Sequence, residues 1–178
     1  LAHSHNTHCR YGLIHRLLRP AFDRLYTHGL ACGVEAGRWL FGERPFEVVP
    51  NAIDARPFAF DSDARRSVRK ELNLGNGRAF GCVAAFNEAK NHAFLLDVFA
   101  RVHQREPSST LVLVGDGALR ESIEERAREL GIADSVRMTG TRRDVPRLLQ
   151  GMDAMLLPSL YEGLPTVALE WQCAGLPI

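Results

Sequence analysis

Residues 154–170 read AMLLPSLYEGLPTVALE, and the change from strand to helix inside this stretch decides the fold class. The apolar run 154–157 predicts a short buried strand, which ends at Pro158 because proline has no amide proton for sheet pairing. The Gly-Leu-Pro sequence predicts a helix that begins near Gly163, with Pro165 in its first turn, where a missing N–H costs little. A buried strand that leads into a helix in this way is typical of α/β folds with a parallel sheet.

Two carboxylates lie around this turn, Glu162 at the mouth of the predicted helix and Glu170 two turns further along. The helical rise would separate them by roughly 12 Å along the axis. A helix N-terminus presents free N–H groups and a partial positive charge, which suit a phosphate or a set of hydroxyl groups. Each glutamate alone is typical of a helix cap or a solvent-exposed residue. Together around this turn, they favour a site for an extended ligand with sugar-like hydroxyls.

Strands and helices alternate along the rest of the chain. Predicted strands cover 26–32, 46–50, 79–86, 110–114, 136–139 and 152–157, and predicted helices cover 12–26, 63–72, 92–104, 118–130 and 145–150. Strands separated by helices indicate βαβ units, so we predict an α/β fold with a Rossmann-like parallel sheet flanked by helices. Arg56-Pro57 and the polar residues after it indicate a domain boundary, with one domain in residues 1–57 and a second in 58–178.

Composition excludes several classes of protein. The chain has 178 residues, 46% of them hydrophobic, and a net charge of +1, so it can bury a core but has no bulk charge for nucleic-acid binding. No apolar run approaches the roughly 20 residues that span a bilayer. The polar, His-rich start is unlike a signal peptide, and we expect the chain to be a fragment of a longer protein. Its four widely spaced cysteines favour buried, reduced thiols and a cytoplasmic location.

Several segments resemble the retaining glycosyltransferases of GT-B fold, which use nucleotide-sugar donors. The family pattern of a Glu, seven residues and a second Glu stands here as residues 162–170, with Gly-Leu-Pro after the first Glu. Other similar segments are Leu111–Gly117, Lys90–His92, Arg143–Val145 and Val49–Asp54. The resemblance covers nearly the whole chain and is strongest for bacterial transferases of exopolysaccharide assembly. It implies that residues 58–178 are a truncated donor-binding domain and that residues 1–57 end the acceptor domain.

The resemblance also implies roles for individual residues. Implied catalytic residues are Glu162, Lys90 and His5, and implied donor-binding residues are Gly163, Leu164, Pro165, Glu170, Arg142, Arg143, Gly115 and Gly117. Glu162 and the amides after it would hold the donor sugar and phosphate, Glu170 the ribose, and Lys90 the diphosphate. The family has an arginine five residues before this lysine, whereas this chain has Ala85. Arg142 or Arg143 is the candidate replacement for that missing charge.

The implied reaction transfers a sugar, with retention, from a UDP- or GDP-linked donor to a sugar or a lipid-linked acceptor. It needs no metal and no cofactor besides the donor, and it belongs to polysaccharide or glycolipid synthesis. Lipid-linked acceptors would bring the protein to the inner face of the plasma membrane as a peripheral protein. We expect the fragment alone to bind nucleotide but to be inactive.

Alternatives come from three other patterns. Gly115-Asp116-Gly117 resembles the start of a dinucleotide fingerprint, but position 120 is arginine instead of the third glycine, which disfavours a nicotinamide cofactor. The run His3, His5, His8 and Cys9 contains metal-ligand side chains, although a loop or a sugar-contacting His5 is the favoured interpretation. The helix over 12–26 is amphipathic and basic, which is typical of a core-facing helix and also compatible with an anionic membrane surface.

Two other functions are compatible with the fold. A sugar-nucleotide epimerase would share it, but would lack the pattern of two glutamates around this helix. A non-catalytic nucleotide-sugar-binding subunit is the second alternative, and Ala85 is its main support.

Overall fold

The computed structural model describes residues 1–7, 9 and 11–178 of the chain. These residues form two compact units, one made of residues 1–52 and 161–166 and the other of residues 53–160 and 167–178. The first unit therefore includes a short segment from far along the sequence. The sequence-based domain boundary between residues 57 and 58 stays a prediction.

The first unit contains a parallel sheet of three short strands with two helices. Its elements are β1 (Ala2–Ser4), α1 (Gly12–Leu25), β2 (Gly29–Ala31), α2 (Val34–Phe41) and β3 (Glu47–Val48). The strands lie in the order β1-β2-β3. Helix α2 was not predicted, because Gly33 caps it without a side-chain hydrogen bond and the helix has only 8 residues. Such a segment carries few of the start signals by which a helix is read from sequence.

Helix α1 confirms the predicted N-terminal helix and runs unbroken through Pro20. Its leucines do not face a core, so the core-facing interpretation is wrong within this unit. Leu13 and Leu25 are 73% and 80% exposed, and no residue of the helix is buried. The helix instead contacts the unit through side chains such as His15, which stacks on Trp39 with ring centroids 4.8 Å apart. An apolar stripe therefore lies on the surface of the unit.

The second unit is an α/β layer structure with a four-stranded parallel sheet. Its elements are α3 (Ser62–Glu71), β4 (Ala79–Val83), α4 (His92–Arg105), β5 (Thr110–Val114), α5 (Arg120–Glu129), β6 (Val136–Gly140), α6 (Val145–Leu149), β7 (Ala154–Met155) and α7 (Thr166–Cys173). Helix α7 belongs to this unit from Val167 onward. The strands lie in the order β6-β5-β4-β7, and every pair is parallel. These observations confirm the predicted α/β fold with a parallel sheet flanked by helices.

Strand β5 shows why both faces of this sheet are covered. Leu111 and Leu113 pack with Phe99 of α4 on one face, whereas Val112 and Val114 pack in a second cluster on the other. Successive side chains of a strand point to opposite faces, so a continuous apolar run requires a core on each side. All four of these β5 residues are buried. This explains why the strand was predicted with its observed bounds.

Helix α7 begins at Thr166, three residues later than the predicted start near Gly163. The reason is local, because a proline disfavours helical backbone angles in the residue before it, and Leu164 precedes Pro165. Glu162 and Gly163 therefore lie in a loop before the helix. Glu170 lies about one turn, or ~6 Å, into the helix instead of two turns from its start.

The four cysteines are free, but they are not all buried as expected. Cys32 and Cys82 are buried and Cys9 is half-buried, whereas Cys173 is exposed in the last turn of α7. Burial raises the pKa of the Cys82 thiol to about 12. Among the described residues, no helix combines the length and the apolar character that crossing a membrane would require.

Candidate functional site

The turn after β5 packs tightly against the segment that follows β4. A Cβ atom on Gly115 would lie 2.0 Å from the Ala84 carbonyl oxygen, and one on Gly117 would lie 2.5 Å from the Phe86 carbonyl oxygen. Both glycines have positive φ angles, and the Phe86 N–H donates to the Asp116 carbonyl at 2.9 Å. Only glycine allows this approach, because both obstructing atoms are backbone atoms. The turn thereby brings together the carboxyl ends of two adjacent parallel strands.

A cleft of about 530 Å³ lies in the second unit at these strand ends. Its lining includes Ala85, Gly115, Asp116, Arg142, Arg143 and Glu170. In open α/β sheets, ligands bind in the crevice outside the carboxyl ends of the strands. The cleft therefore brings together four of the residues that the sequence nominated for donor binding, at the place where this fold offers a ligand site.

Glu170 is the acidic group that α7 contributes to the cleft. Its side chain is half-buried, and its carboxylate makes no hydrogen bond or ion pair with another described residue. Burial raises the pKa of this carboxyl above its usual value. A half-buried carboxylate without a protein partner is suited to accept hydrogen bonds from ligand hydroxyls, because such bonds offset the cost of its burial.

Arg142 and Arg143 are adjacent in sequence but differ in their bonding. Arg142 donates to both oxygens of Asp144 at 2.8 Å and to Glu71 at 3.0 Å. Arg147 contacts the same two carboxylates. Hydrogen bonds from Arg142 lower the pKa of Asp144 to about 2, and those to Asp144 and Glu71 raise the pKa of Arg142. The charge of Arg142 is therefore committed to protein partners.

Arg143 is exposed, and it makes no ion pair with any other residue that the structure describes. Of the two arginines that line the cleft, it is the one whose guanidinium group has all its donors available for a ligand. Ala85, at the position where the family resemblance implies an arginine, is exposed in the same lining.

The Lys90 loop follows β4 and leads into α4. The Asn87 side chain accepts from the Lys90 N–H at 3.3 Å, and Asn91 has a left-handed backbone, with φ of 52°. The Ala89 carbonyl accepts from the N–H of Leu160 at 2.8 Å, so this loop lies beside the segment after β7. Lys90 itself is half-buried just before the free N–H groups of α4.

His92 opens α4 and is buried, with its ring 4.8 Å from that of Phe86 in an edge-on arrangement. Neither ring nitrogen has a hydrogen-bond partner among the described residues. Burial, followed by the positive charge of Lys90, lowers the pKa of this imidazole. Both effects favour the neutral form of His92.

The remaining predicted residues come together in the first unit. Gly163 passes so close to the loop after β1 that a Cβ atom there would lie 2.0 Å from the His5 carbonyl oxygen. Glu162 and Leu164 flank this contact, and Pro165 precedes α7. The structure thus brings the predicted His5 next to the predicted Glu162–Pro165 segment, although the two lie far apart in the sequence.

Two residues that bind this segment were missed as site residues. Thr7 donates to the Glu162 carbonyl at 3.2 Å, and Asn51 donates to the Leu164 carbonyl at 2.7 Å. Asn51 lies in the Val49–Asp54 segment that the resemblance had marked, so a sequence signal existed for it. No sequence pattern marked Thr7.

One residue of the suggested metal site, His8, lies outside the described residues. The rings of His3 and His5 lie 4.1 Å apart. In the described parts of the chain, no three His, Cys, Asp or Glu side chains gather as metal ligands would.

Comparison with known proteins extends these observations. Residues 64–178 match the family described as Glycosyl transferases group 1. The chain is 40% identical over 189 residues to EpsF of Bacillus subtilis (strain 168), which is named as a glycosyltransferase, and this match covers 99% of the chain and 49% of EpsF. It is 43% identical to the Vi polysaccharide biosynthesis protein VipC/TviE of Salmonella typhi, over 92% of the chain and 31% of that protein.

Solved structures share the fold. The crystal structure of Anabaena Alr3699/HepE in complex with UDP-glucose matches 99% of the chain and 52% of its own length, with a TM-score of 0.88 and 21% identity. WaaG, a glycosyltransferase involved in lipopolysaccharide biosynthesis, matches 96% of the chain and 48% of its own length, with a TM-score of 0.77 and 20% identity. The chain thus spans about half the length of these proteins and of EpsF.

Proposed function

The chain belongs to the glycosyl transferases group 1 family, and from this premise we propose that it carries the donor-binding part of an enzyme of polysaccharide synthesis. The longer enzyme would transfer a hexose, with retention, from a nucleoside diphosphate to a sugar or lipid-linked acceptor. The name of EpsF supports glycosyl transfer, and that of the Vi polysaccharide biosynthesis protein supports the pathway class. The UDP-glucose in the HepE complex supports a nucleoside-diphosphate-sugar donor, and both UDP-linked and GDP-linked sugars are candidates.

The observation that carries this proposal is the cleft in the second unit. It combines the half-buried Glu170 carboxylate, which has no hydrogen-bond or ion-pair partner among the described residues, with an available guanidinium group on Arg143. A nucleoside diphosphate has a ribose diol that donates hydrogen bonds and phosphates that require cations. In the cleft, Glu170 offers an acceptor for the ribose hydroxyls and Arg143 offers a donor for the phosphates. Both lie at the strand ends where α/β folds bind nucleotides.

The other predicted residues receive their roles from the family. Lys90 and the free N–H groups at the start of α4 would stabilise the diphosphate, and Glu162 with the Gly163 amide would hold the donor sugar. His5 would contact the same sugar. In this proposal the reaction uses no metal and no separate cofactor. Because the chain is about half of a related enzyme, we expect it to bind donor but not to transfer sugar alone.

Calorimetric titration tests the proposal with UDP, GDP and ADP, each beside its 2′-deoxy analogue. We expect saturable binding of one ribonucleotide and about tenfold or greater weakening by Glu170→Gln, because a hydrogen bond to a charged group contributes about 1.5–3 kcal/mol. Glu121→Gln, an exposed glutamate on α5, is the matched control. The ribose role predicts that removing the 2′-hydroxyl weakens binding to the wild type but not to Glu170→Gln. A folded chain that binds none of the nucleotides would contradict the proposal.

A non-catalytic nucleotide-sugar-binding subunit remains the second candidate, and Ala85 is the observation that favours it. Ala85 is exposed in the cleft, so an arginine side chain can extend from this position into solvent and the cleft. Ala85→Arg in the full-length protein should raise transfer activity if the protein is a transferase with a weakened diphosphate site. A full-length protein that is inert both with and without this substitution would favour the subunit.

We further propose a cytoplasmic protein whose helix α1 contacts the inner face of the plasma membrane. The exposed stripe of α1 contains Leu13, Leu17, Leu18 and Leu25, and the exposed Arg16 and Arg24 lie on the same helix. Apolar residues combined with arginines are typical of helices that lie in an anionic interface. Full-length protein should therefore sediment with phosphatidylglycerol vesicles and less with phosphatidylcholine vesicles. Leu17→Glu should reduce this binding, whereas Leu160→Glu, at a leucine of similar exposure in the second unit, should not.

A further inference from the structure

Two carbonyl groups of the loop after β7 are bound by side chains from distant parts of the sequence. Thr7 Oγ1 donates to the Glu162 carbonyl oxygen at 3.2 Å, across 155 positions. Asn51 Nδ2 donates to the Leu164 carbonyl oxygen at 2.7 Å, across 113 positions. The loop lies between the end of β7 and the start of α7, so no strand or helix supplies partners for these carbonyls. Thr7 and Asn51 supply them instead.

These two hydrogen bonds have different consequences for the loop. A peptide unit is planar and trans, so the Glu162 carbonyl and the Gly163 N–H form one rigid group and point in opposite directions. Because Thr7 holds the Glu162 carbonyl, the Gly163 N–H points away from Thr7. The peptide that joins Leu164 to Pro165 has no N–H, so its carbonyl is its one hydrogen-bonding group. The bond from Asn51 therefore anchors the loop without using a donor that a ligand needs.

Gly163 is restrained from a third direction. A Cβ atom on it would lie 2.0 Å from the His5 carbonyl oxygen and 2.8 Å from the carbonyl carbon. Both are backbone atoms that cannot rotate aside. The loop can therefore adopt this position only with glycine, and its backbone is fixed at three successive residues.

We propose that Thr7 and Asn51 are positioning residues for the sugar end of the donor. They orient the Gly163 amide and hold the backbone from which the Glu162 side chain extends. This inference rests on the proposed function, in which Glu162 and Gly163 contact the donor sugar. Neither Thr7 nor Asn51 needs to touch the ligand, because each acts through the loop. Loss of either side chain should therefore weaken the contribution of the sugar to binding and preserve that of the nucleotide, which is assigned to Glu170.

The test compares each nucleotide with its sugar conjugate in calorimetric titrations of the chain. The probes are UDP with UDP-glucose and GDP with GDP-mannose. Thr7→Val is nearly isosteric and removes the hydroxyl that donates to the Glu162 carbonyl. Asn51→Asp is isosteric and places a carboxylate oxygen against the Leu164 carbonyl oxygen. Thr7→Ser keeps the hydroxyl and is the expected rescue. Asn76→Asp introduces the same charge at an exposed position and is the matched control.

We expect the ratio of the Kd for UDP to the Kd for UDP-glucose to fall about tenfold in Thr7→Val and Asn51→Asp, with the UDP Kd unchanged within about twofold. Thr7→Ser and Asn76→Asp should keep the wild-type ratio. An unchanged ratio in both test variants would overturn the inference, as would equal weakening of nucleotide and conjugate. A wild-type chain that binds UDP but gains nothing from the sugar would overturn it as well. A wild-type chain that binds neither pair would instead overturn the proposed function, and this inference with it.

Discussion

Replacing Asp153 with alanine should lower the free energy of unfolding of the second unit by about 2–4 kcal/mol. Its carboxylate, just before β7, accepts from the Ala79 N–H at 2.8 Å, from Arg65 at 2.5 Å and from Arg69 at 3.1 Å. Its own N–H donates to the Ala79 carbonyl at 2.8 Å. The residue therefore joins the first residue of β4 to the start of the strand that leads into the Glu162 loop.

The magnitude follows from the exposure of each partner. Ala79 is fully buried, so removal of its acceptor leaves an unsatisfied N–H, which costs about 1–3 kcal/mol. Each ion pair adds about 0.2–1 kcal/mol, because the charged side chains are partly exposed. The arginines retain other partners, since Arg65 also donates to the Met152 carbonyl at 2.8 Å and Arg69 to the Gly151 carbonyl at 3.0 Å. They therefore do not become buried, unpaired charges.

Urea unfolding followed by tryptophan fluorescence measures this loss. Trp171 is fully buried in the second unit, and a Trp39→Phe background removes the chain's other tryptophan. Asp153→Asn keeps one acceptor for the Ala79 N–H and should cost only about 1 kcal/mol through the weakened ion pairs. A loss below about 1 kcal/mol in the alanine variant would refute the reasoning.

The pH dependence provides a second test of the same contacts. Burial alone would raise the pKa of Asp153, but hydrogen bonds from the Ala79 N–H and from Arg65 outweigh it, and the pKa lies below its usual value of 3.8. A carboxyl with a lowered pKa in the folded state stabilises the protein above its unfolded pKa, and this stabilisation disappears as the pH falls through the folded pKa. The difference between wild type and Asp153→Asn should be constant near neutral pH and should shrink below about pH 4. A difference that is independent of pH would contradict the assignment.

Three further predictions concern single residues. Gly115→Ala should lower the melting temperature and abolish nucleotide binding in titration, because its Cβ would lie 2.0 Å from a backbone carbonyl of the segment after β4. Cys173 should react rapidly with a thiol reagent at pH 8 and Cys82 should not, as peptide mass spectrometry would show, because burial raises the pKa of Cys82 to about 12. His92 has a pKa lowered by burial and then by a neighbouring lysine, so the unfolded chain takes up its proton first as the pH falls. At pH values below about 6.5, the free energy of unfolding in urea should therefore decrease. The part of this decrease that comes from His92 should be missing in His92→Leu.

The elements with strong local signals were predicted well from the sequence. Strand β5 has its predicted bounds because a short apolar run rich in β-branched residues favours a buried strand over a helix. Helix α4 ends one residue beyond its prediction. By contrast, α2 has a glycine cap and little periodicity, so its stability depends on packing that the local sequence does not reveal.

The candidate site could be nominated from the sequence but not assembled from it. The spacing of Glu162 and Glu170 predicts that both residues belong to one motif, and this stays a prediction. It did not indicate that the loop with Glu162 belongs to the first unit, whereas Glu170 belongs to the second. That division depends on hydrogen bonds from Thr7 and Asn51 that cross more than 100 positions, and no local pattern contains this information.

The two arginines of the cleft show the same limit for electrostatics. In sequence, Arg142 and Arg143 both lie within two positions of Asp144, and either could neutralise its charge. The structure distinguishes them because Glu71, 71 positions away, adds a second carboxylate to Arg142. Arg142 is then bound on two sides, and Arg143 keeps its charge for a ligand. The ion pair between Arg142 and Glu71 therefore helps to determine which positive charge in this cleft is available to a diphosphate. Replacing Glu71 should change the nucleotide affinity, although Glu71 does not line the cleft.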